Sequence, residues 1–524
     1  MSCSRLATRI RTAVIFGCAI LAVCATPSRA DNVGSIVSPL GVYVKVDIED
    51  AISAIRRGYT GDLEPTPKYV HVLLQKLYQR VLANPAVSGI TIGVHWANVQ
   101  PHDPLAVSDN SDGYDWSYLD DAFGVANWVQ KSVQLIVTPG FDSPQWLLSR
   151  IPSCDGLFNP ATRAAVAEDC GTVTFAEFPD KPRAEHDADG RTVLPLSWNG
   201  VYQKAWAAFL QNLNVRYGNN PAFVAIAVAG PVGASADMVL PATSNQSLQQ
   251  PGLEADNAWV AQIRHAFPRQ GGEYAETDQV FVDQWKQTID TYESIFQGVT
   301  LVLSPGAGAG LPEFRMNHTQ PAIASSPPWA KEDCEDATDL RSCEAKVAVL
   351  SYFAAVAGNN AKATQVGGMT ASSPRAFGDI GIAGVKLLAV PPASSALFGG
   401  AAFAQPVSGK NKEEEGCPTL TSKPRVSCLD LTPEEAAYNV LSVFFYGTPV
   451  ARHYGGQIGP APAPIQYLDV PYEDVDYART TPCPPRASVM LYKKSLQDLL
   501  NSASHDLSEM AGQQAPLPPP TCTE

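Results

Sequence analysis

The chain has 524 residues, with 37 Lys and Arg facing 52 Asp and Glu for a net charge of −15, and 45% of its residues are hydrophobic. So acidic a surface excludes nucleic acid as a partner, because a phosphate backbone is bound through basic patches. The length allows two domains, but no interior linker and no internal repeat divides it, and a barrel with long loops reaches such a size alone.

The first thirty residues read as a secretory signal peptide. Arg5, Arg9 and Arg11 precede an apolar run from Ala13 to Cys24, and Ser28-Arg29-Ala30 offers small residues at the cleavage positions. The run is shorter than the roughly 20 residues a bilayer span needs, so no membrane span is expected. Cleavage near Ala30 removes four arginines and no acid, leaves a mature chain from about Asp31, and implies a secreted or periplasmic location. Leu21-Ala22-Val23-Cys24 also has the outline of a lipoprotein box, poorly matched by Val before the Cys.

Three of the eleven cysteines lie in this leader. The remaining Cys154, Cys170, Cys334, Cys343, Cys417, Cys428, Cys483 and Cys522 are even in number, as expected in an oxidising compartment. Their spacing suggests that neighbours pair, 154 with 170, 334 with 343, 417 with 428 and 483 with 522, each pinning a loop excursion. Neither a CxxC nor a His pair at ligand spacing accompanies them, so no metal is expected, and no motif implies a cofactor.

Strand-like apolar runs follow in order: Gly41 to Asp47, Gly89 to Trp96, Val133 to Pro139, Phe223 to Ala229, Val299 to Ser304, Ala363 to Met369, Ala401 to Pro406 and Ile465 to Val470. Helical periodicity separates most of them, over Lys68 to Ala83, Tyr118 to Gln130, Tyr202 to Tyr217, Asp278 to Phe296 and Thr432 to Tyr446. The clearest change of period is at Tyr202 to Pro241, where Trp206, Phe209, Leu210, Leu213 and Tyr217 make a helical stripe that stops at Gly218, before Asn219-Asn220-Pro221 and the unbroken apolar Phe223 to Ala229. Eight strands alternating with helices predict an α/β fold, a (β/α)8 TIM barrel with long disulfide-pinned insertions over residues 31–480, and a Pro-rich extension over 481–524. A doubly wound open sheet is the alternative, but no Gly-rich phosphate loop follows the first strand.

Gly93 to Leu147, GVHWANVQPHDP followed by DGYDWSYLDDAFGVANWVQKSVQLIVTPGFDSPQWL, resembles the second and third βα units of barrel glycoside hydrolases of the large retaining clan that includes family 42 β-galactosidases and family 5 enzymes. Leu196-Ser197-Trp198 and the helix after it resemble that clan's approach to the fourth strand; the likeness runs from about 87 to 241. The resemblance implies hydrolysis of O-glycosidic bonds, β-galactosidase or β-glycosidase in type, with carbohydrate bound at the carboxyl ends of the strands. Trp96, Trp146 and Trp198 fall on expected loop mouths, where flat rings stack on sugars, though each could equally pack the core. His95 takes the place of a substrate-binding residue in the resembled proteins, with a core histidine as the plain reading.

The catalytic carboxylates depart from the pattern. The resembled clan places Asn-Glu after strand four, where this chain has Gly230-Pro231, and the nearest acid is Asp237, the candidate general acid/base. After the seventh expected strand stands Gln405, a neutral amide that cannot attack an anomeric carbon. Asp47, Asp142 and Asp469 are the other carboxylates at strand ends, while Glu413, Glu414 and Glu415 read as a solvated loop. A catalytically inactive carbohydrate-binding barrel is therefore the alternative to an enzyme. No Gly-x-Ser-x-Gly elbow, phosphate loop or HExxH suggests another chemistry.

Overall fold

The computed structural model describes residues 39–61, 64–106, 113–158, 161, 165–176, 191–229, 255–267, 279–303, 385–390, 398–403, 465–481 and 495–510, with isolated positions at 349, 352, 353, 356, 433, 434, 437, 441, 512 and 513. Outside them lie the expected signal peptide, Asp237, Gln405, the strand expected over 363–369, the acidic run at 413–415 and six of the eight cysteines expected to pair.

Eight strands form one sheet: β1 (Gly41–Asp47), β2 (Val87–His95), β3 (Ser132–Thr138), β6 (Phe223–Ala227), β7 (Thr300–Val302), β8 (Val385–Val390), β9 (Phe398–Phe403) and β10 (Ile465–Pro471). Their order is β7-β6-β3-β2-β1-β10-β9-β8. Every neighbouring pair from β7 to β9 is parallel, and β8 alone runs antiparallel to β9. Pairing of the first strand with the last makes the sheet curl, and β7 and β8 at its two ends approach within 8 Å without a ladder between them. The strand next to β9 is thus reversed, and the eight-fold parallel barrel expected from the sequence is not closed among the described residues. A separate hairpin, β4 (Thr172–Ala176) with β5 (Arg191–Pro195), occupies a stretch that the sequence leaves without strands.

Alternation along the strands gives the sheet two unlike faces. Val42, Val44 and Val46, with Ile90, Ile92, Val94, Val133, Leu135 and Val137, join the large core shared with the helices. Tyr43 and Tyr467 face the other way and form a small second core with Val224, Ala225 and Val302. The apolar face explains why these strands read so clearly as hydrophobic runs.

Helices cover the outer face: α1 (Ile48–Arg57), α2 (Pro67–Leu82), α3 (Trp96–Val99), α4 (Ser117–Trp128), α5 (Gln145–Leu148), α6 (Gly200–Tyr217), α7 (Ala255–Ala266), α8 (Gln279–Ile295), α9 (Tyr472–Thr480) and α10 (Leu496–Met510). Their starts follow from capping side chains. Asp47 accepts from Asp50 N, Thr66 from Tyr69 N ahead of Pro67, and Asn199 from both Val201 N and Tyr202 N. Of the helix expected over Thr432 to Tyr446, only Pro433, Glu434, Ala437 and Leu441 are described, all helical.

The region expected to be an extension contains α10, which packs on β1 and β10 through buried Leu496, Leu499, Leu500, Ala503 and Leu507. Two polar links close the ends of the chain on each other. Arg80 of α2 donates to both carboxylate oxygens of Asp476 in α9, at 2.7 and 2.5 Å, and Asn84 exchanges amide hydrogen bonds with Gln497 of α10.

Candidate functional site

Parallel strands bring their carboxyl ends to one side, which is where loops of such sheets carry function. Register sets the levels. Asp47 lies opposite Gly93, and His95, two residues further, lies opposite Thr138. Gly93 lets the carboxylate of Asp47 approach: a Cβ there would stand 3.1 Å from Asp47 Oδ2.

Above that level three titratable side chains meet. Glu49, in the first turn of α1, accepts the backbone N–H of His95 at 3.1 Å and the side-chain amide of Asn98, in α3, at 2.5 Å, both on Oε1. His95 Nδ1 stands 3.9 Å from Glu49 Oε1 and 3.7 Å from Asp142 Oδ1. Asp142 closes the 3-10 turn Gly140–Asp142 that follows β3. Gly140 supplies the left-handed backbone of that turn, at φ 72°, and its N–H donates to Tyr202 Oη of α6 at 3.3 Å.

The exposure of the three side chains is graded: 29% for His95, 20% for Glu49 and 5% for Asp142. Burial pushes the Glu49 carboxyl up to about 7, opposed chiefly by the neighbouring His95. Glu49 Oε2 is enclosed and makes no hydrogen bond among the described residues. The imidazole is thus the part of the cluster that reaches the mouth.

Below the mouth the inner face of the sheet is polar. Asp469 of β10, 1% exposed, accepts from Thr91 Oγ1 at 2.5 Å and from Gln134 Nε2 at 3.5 Å. Burial raises its carboxyl to about 7 against the pull of the Thr91 hydrogen bond and the Lys45 charge. A carboxylate so enclosed is a structural group of the interior. Tyr43 and Tyr467 meet edge to face beneath it, 5.7 Å between centroids.

The three tryptophans do not share one cleft. Trp96 is 0% exposed, among Tyr202, Trp206 and Phe209, with its Nε1 on Gln100 Oε1, so it is a core residue and cannot stack on a sugar. The physical reason is that α3 begins at this residue and turns its ring outward, under α6. Trp146, in α5, is half-buried, donates to the Gln100 carbonyl at 3.0 Å and carries the Arg150 guanidinium over its ring. Trp198 packs edge-on against Phe267 and Phe281, toward the helices α7 and α8. Of the residues expected in the site, His95, Asp142 and Trp146 lie at the ends of β2 and β3. Glu49 and Asn98 join them without having been anticipated; the signal for Glu49 was Asp47 as helix cap with an acid two residues on.

Beyond β3 the loop is pinned by the Cys154–Cys170 disulfide, with Cα atoms 5.2 Å apart, the one expected pair whose cysteines are both described. Among the described residues no group of three or more His, Cys, Asp or Glu is placed to hold a metal ion, and no helix is long and apolar enough to cross a membrane.

No family model matches the chain, and no curated protein matches it. Among solved structures it is similar to the catalytic domain of a β-amylase from Paenibacillus polymyxa, at 13% identity and a TM-score of 0.25. That likeness covers 51% of this chain and 66% of the other, just under two thirds of its length.

Proposed function

We propose that the chain is an exported protein of glycoside-hydrolase type that binds carbohydrate where the parallel strands end and cleaves an O-glycosidic bond of the β-galactosidase or β-glycosidase kind. The observation that carries this reading is the gathering of His95, Asn98, Glu49 and Asp142 on three adjacent strand ends, with Trp146 in the short helix that follows Asp142 in the chain. Hydrogen-bonding groups of both kinds with a half-buried aromatic suit a polyhydroxylated ligand. The resemblance of Gly93 to Leu147 covers the same segments.

Glu49 Oε1 and Asp142 Oδ1 each lie within 4 Å of His95 Nδ1. Asp142 is buried and Glu49 is half-buried with its Oε1 taken by the His95 N–H and the Asn98 amide, so in this reading they act on His95 rather than on an anomeric carbon. Asp237 keeps the role of general acid/base in this reading, which rests on its place in the sequence shortly after β6. Export is supported by the leader and by the Cys154–Cys170 bridge.

A second reading, a carbohydrate-binding barrel without catalysis, is favoured by one observation: Gly230-Pro231 stands where the resembled enzymes carry Asn-Glu. A panel of aryl glycosides assayed with wild type and Asp237→Asn separates the two. Turnover by wild type that collapses in the variant supports the enzyme; binding without turnover in either supports the second reading; neither binding nor turnover removes both.

A further inference from the structure

His95 is held along one edge of its ring. Nδ1 faces Glu49 Oε1 at 3.9 Å and Asp142 Oδ1 at 3.7 Å, whereas Nε2 makes no hydrogen bond among the described residues. The backbone of the same residue is fixed by Glu49, whose Oε1 takes the His95 N–H at 3.1 Å. Asp142 is fixed in turn by the 3-10 turn that Tyr202 anchors through Gly140 N. The ring therefore stands against two carboxylates, half-buried Glu49 from the segment after β1 and buried Asp142 from the segment after β3, and is itself 29% exposed.

A neutral imidazole carries one N–H, and the group facing each nitrogen decides which one bears it. Separations of 3.7 and 3.9 Å are ion-pair distances, longer than a hydrogen bond, so the preference here is electrostatic. The acids around the ring are Glu49 of α1, Asp142 after β3 and, one level down, Asp47 of β1. This setting favours a proton on Nδ1, the opposite of the tautomer that free histidine prefers.

We propose that Glu49 and Asp142 are positioning residues that keep the proton of His95 on Nδ1, so that Nε2 is the atom offered to the ligand and accepts a hydrogen bond from a hydroxyl of a bound sugar. The sugar hydroxyl rests on the carbohydrate reading of the mouth; the tautomer does not. Carboxylates that orient a functional imidazole from behind in this way fix both its tautomer and its direction.

The test is nitrogen-15 NMR on the full chain labelled at its eight histidines, at a pH where they are neutral, with His95→Gln to assign the signal. Wild type is expected to show Nδ1–H at His95, and the double variant Glu49→Gln, Asp142→Asn to move it toward Nε2–H. Gln and Asn keep the size and one acceptor of each carboxylate; should the double variant not fold, Asp142→Asn alone is read the same way. An Nε2–H signal in wild type, or a tautomer that the variants leave unchanged, overturns the assignment. Addition of 4-nitrophenyl β-galactoside and 4-nitrophenyl β-glucoside is expected to shift Nε2 and spare Nδ1. A wild-type Nδ1–H signal with Nε2 unmoved by either glycoside keeps the positioning role and overturns the sugar hydroxyl, so the two ideas fail separately.

Discussion

Glu49 Oε1 accepts the backbone N–H of His95 at 3.1 Å, so the first turn of the helix after β1 fixes the last residue of β2. One carboxylate thereby joins two strand ends beyond the last pair of the β1–β2 ladder, Asp47 with Gly93.

Removing that acceptor leaves a partly buried N–H without a partner. Glu49→Ala is expected to cost about 1–3 kcal/mol, while Glu49→Gln, which keeps an oxygen at Oε1, costs less. Thermal melting of the two variants at one pH checks the order. Equal melting temperatures would show that the link to His95 contributes nothing.

Asp469 gives the fold a pH dependence of stated sign. Its carboxyl is raised from 3.8 to about 7 in the folded state, so between those values the native chain holds a proton that the unfolded chain has released. Stability from this group is therefore full below the lower value, falls as pH rises toward about 7, and is lowest above it. Asp469→Asn removes the ionisable group and should flatten that fall. The change in unfolding free energy on substitution is expected to be more favourable at high pH than at low, by up to about 4 kcal/mol at 1.36 kcal/mol for each pH unit, and melting curves at the two ends of the range read its sign. A substitution effect identical at both ends would contradict the assignment.

The Cys154–Cys170 bridge closes a loop with a sequence separation of 16. Chain-entropy reasoning gives about 3 kcal/mol for a loop of that length. Replacing both cysteines by Ala should lower the melting temperature and loosen the β4–β5 region first. Peptide mapping of the non-reduced protein that finds Cys154 free, or joined to another cysteine, would contradict the pairing.

Trp96 and Trp146 should separate stability from binding. Trp96→Ala empties a fully buried site and is expected to cost about 3–5 kcal/mol. Trp146→Ala removes a half-buried ring and should weaken saccharide binding more than it lowers the melting temperature. Calorimetric titration beside a melting curve for each variant reads both effects, and a Trp146 variant with unchanged sugar affinity would show that the ring only packs its loop.

Much of the fold was legible because its signals are local. Strands β1, β2, β3, β6 and β10 announce themselves through the apolar residues of their outer face, and α6 through the stripe of Trp206, Phe209, Leu210 and Leu213. What stayed hidden depends on partners distant in sequence. Nothing in Phe398–Phe403 says that the strand beside it will run antiparallel, and α1 was overlooked because it follows β1 with no loop between them. The site was legible to the same degree. His95 and Asp142 stand at strand ends and could be named; Glu49 could not, because its role comes from meeting His95, 46 residues away. Trp96 differs for the converse reason: a residue just after a strand end is expected to face the mouth, whereas α3 starts there and carries its ring into the core.

The most direct test of the account is kcat/KM for 4-nitrophenyl β-galactoside and 4-nitrophenyl β-glucoside in wild type and His95→Ala. Hydrolysis by wild type that falls about tenfold or more in the variant, the factor that about 1.4 kcal/mol of lost hydrogen bonding corresponds to, is the predicted result. A His95→Ala variant that folds and cleaves either glycoside at the wild-type rate, or a wild type that neither cleaves nor binds them, would contradict it.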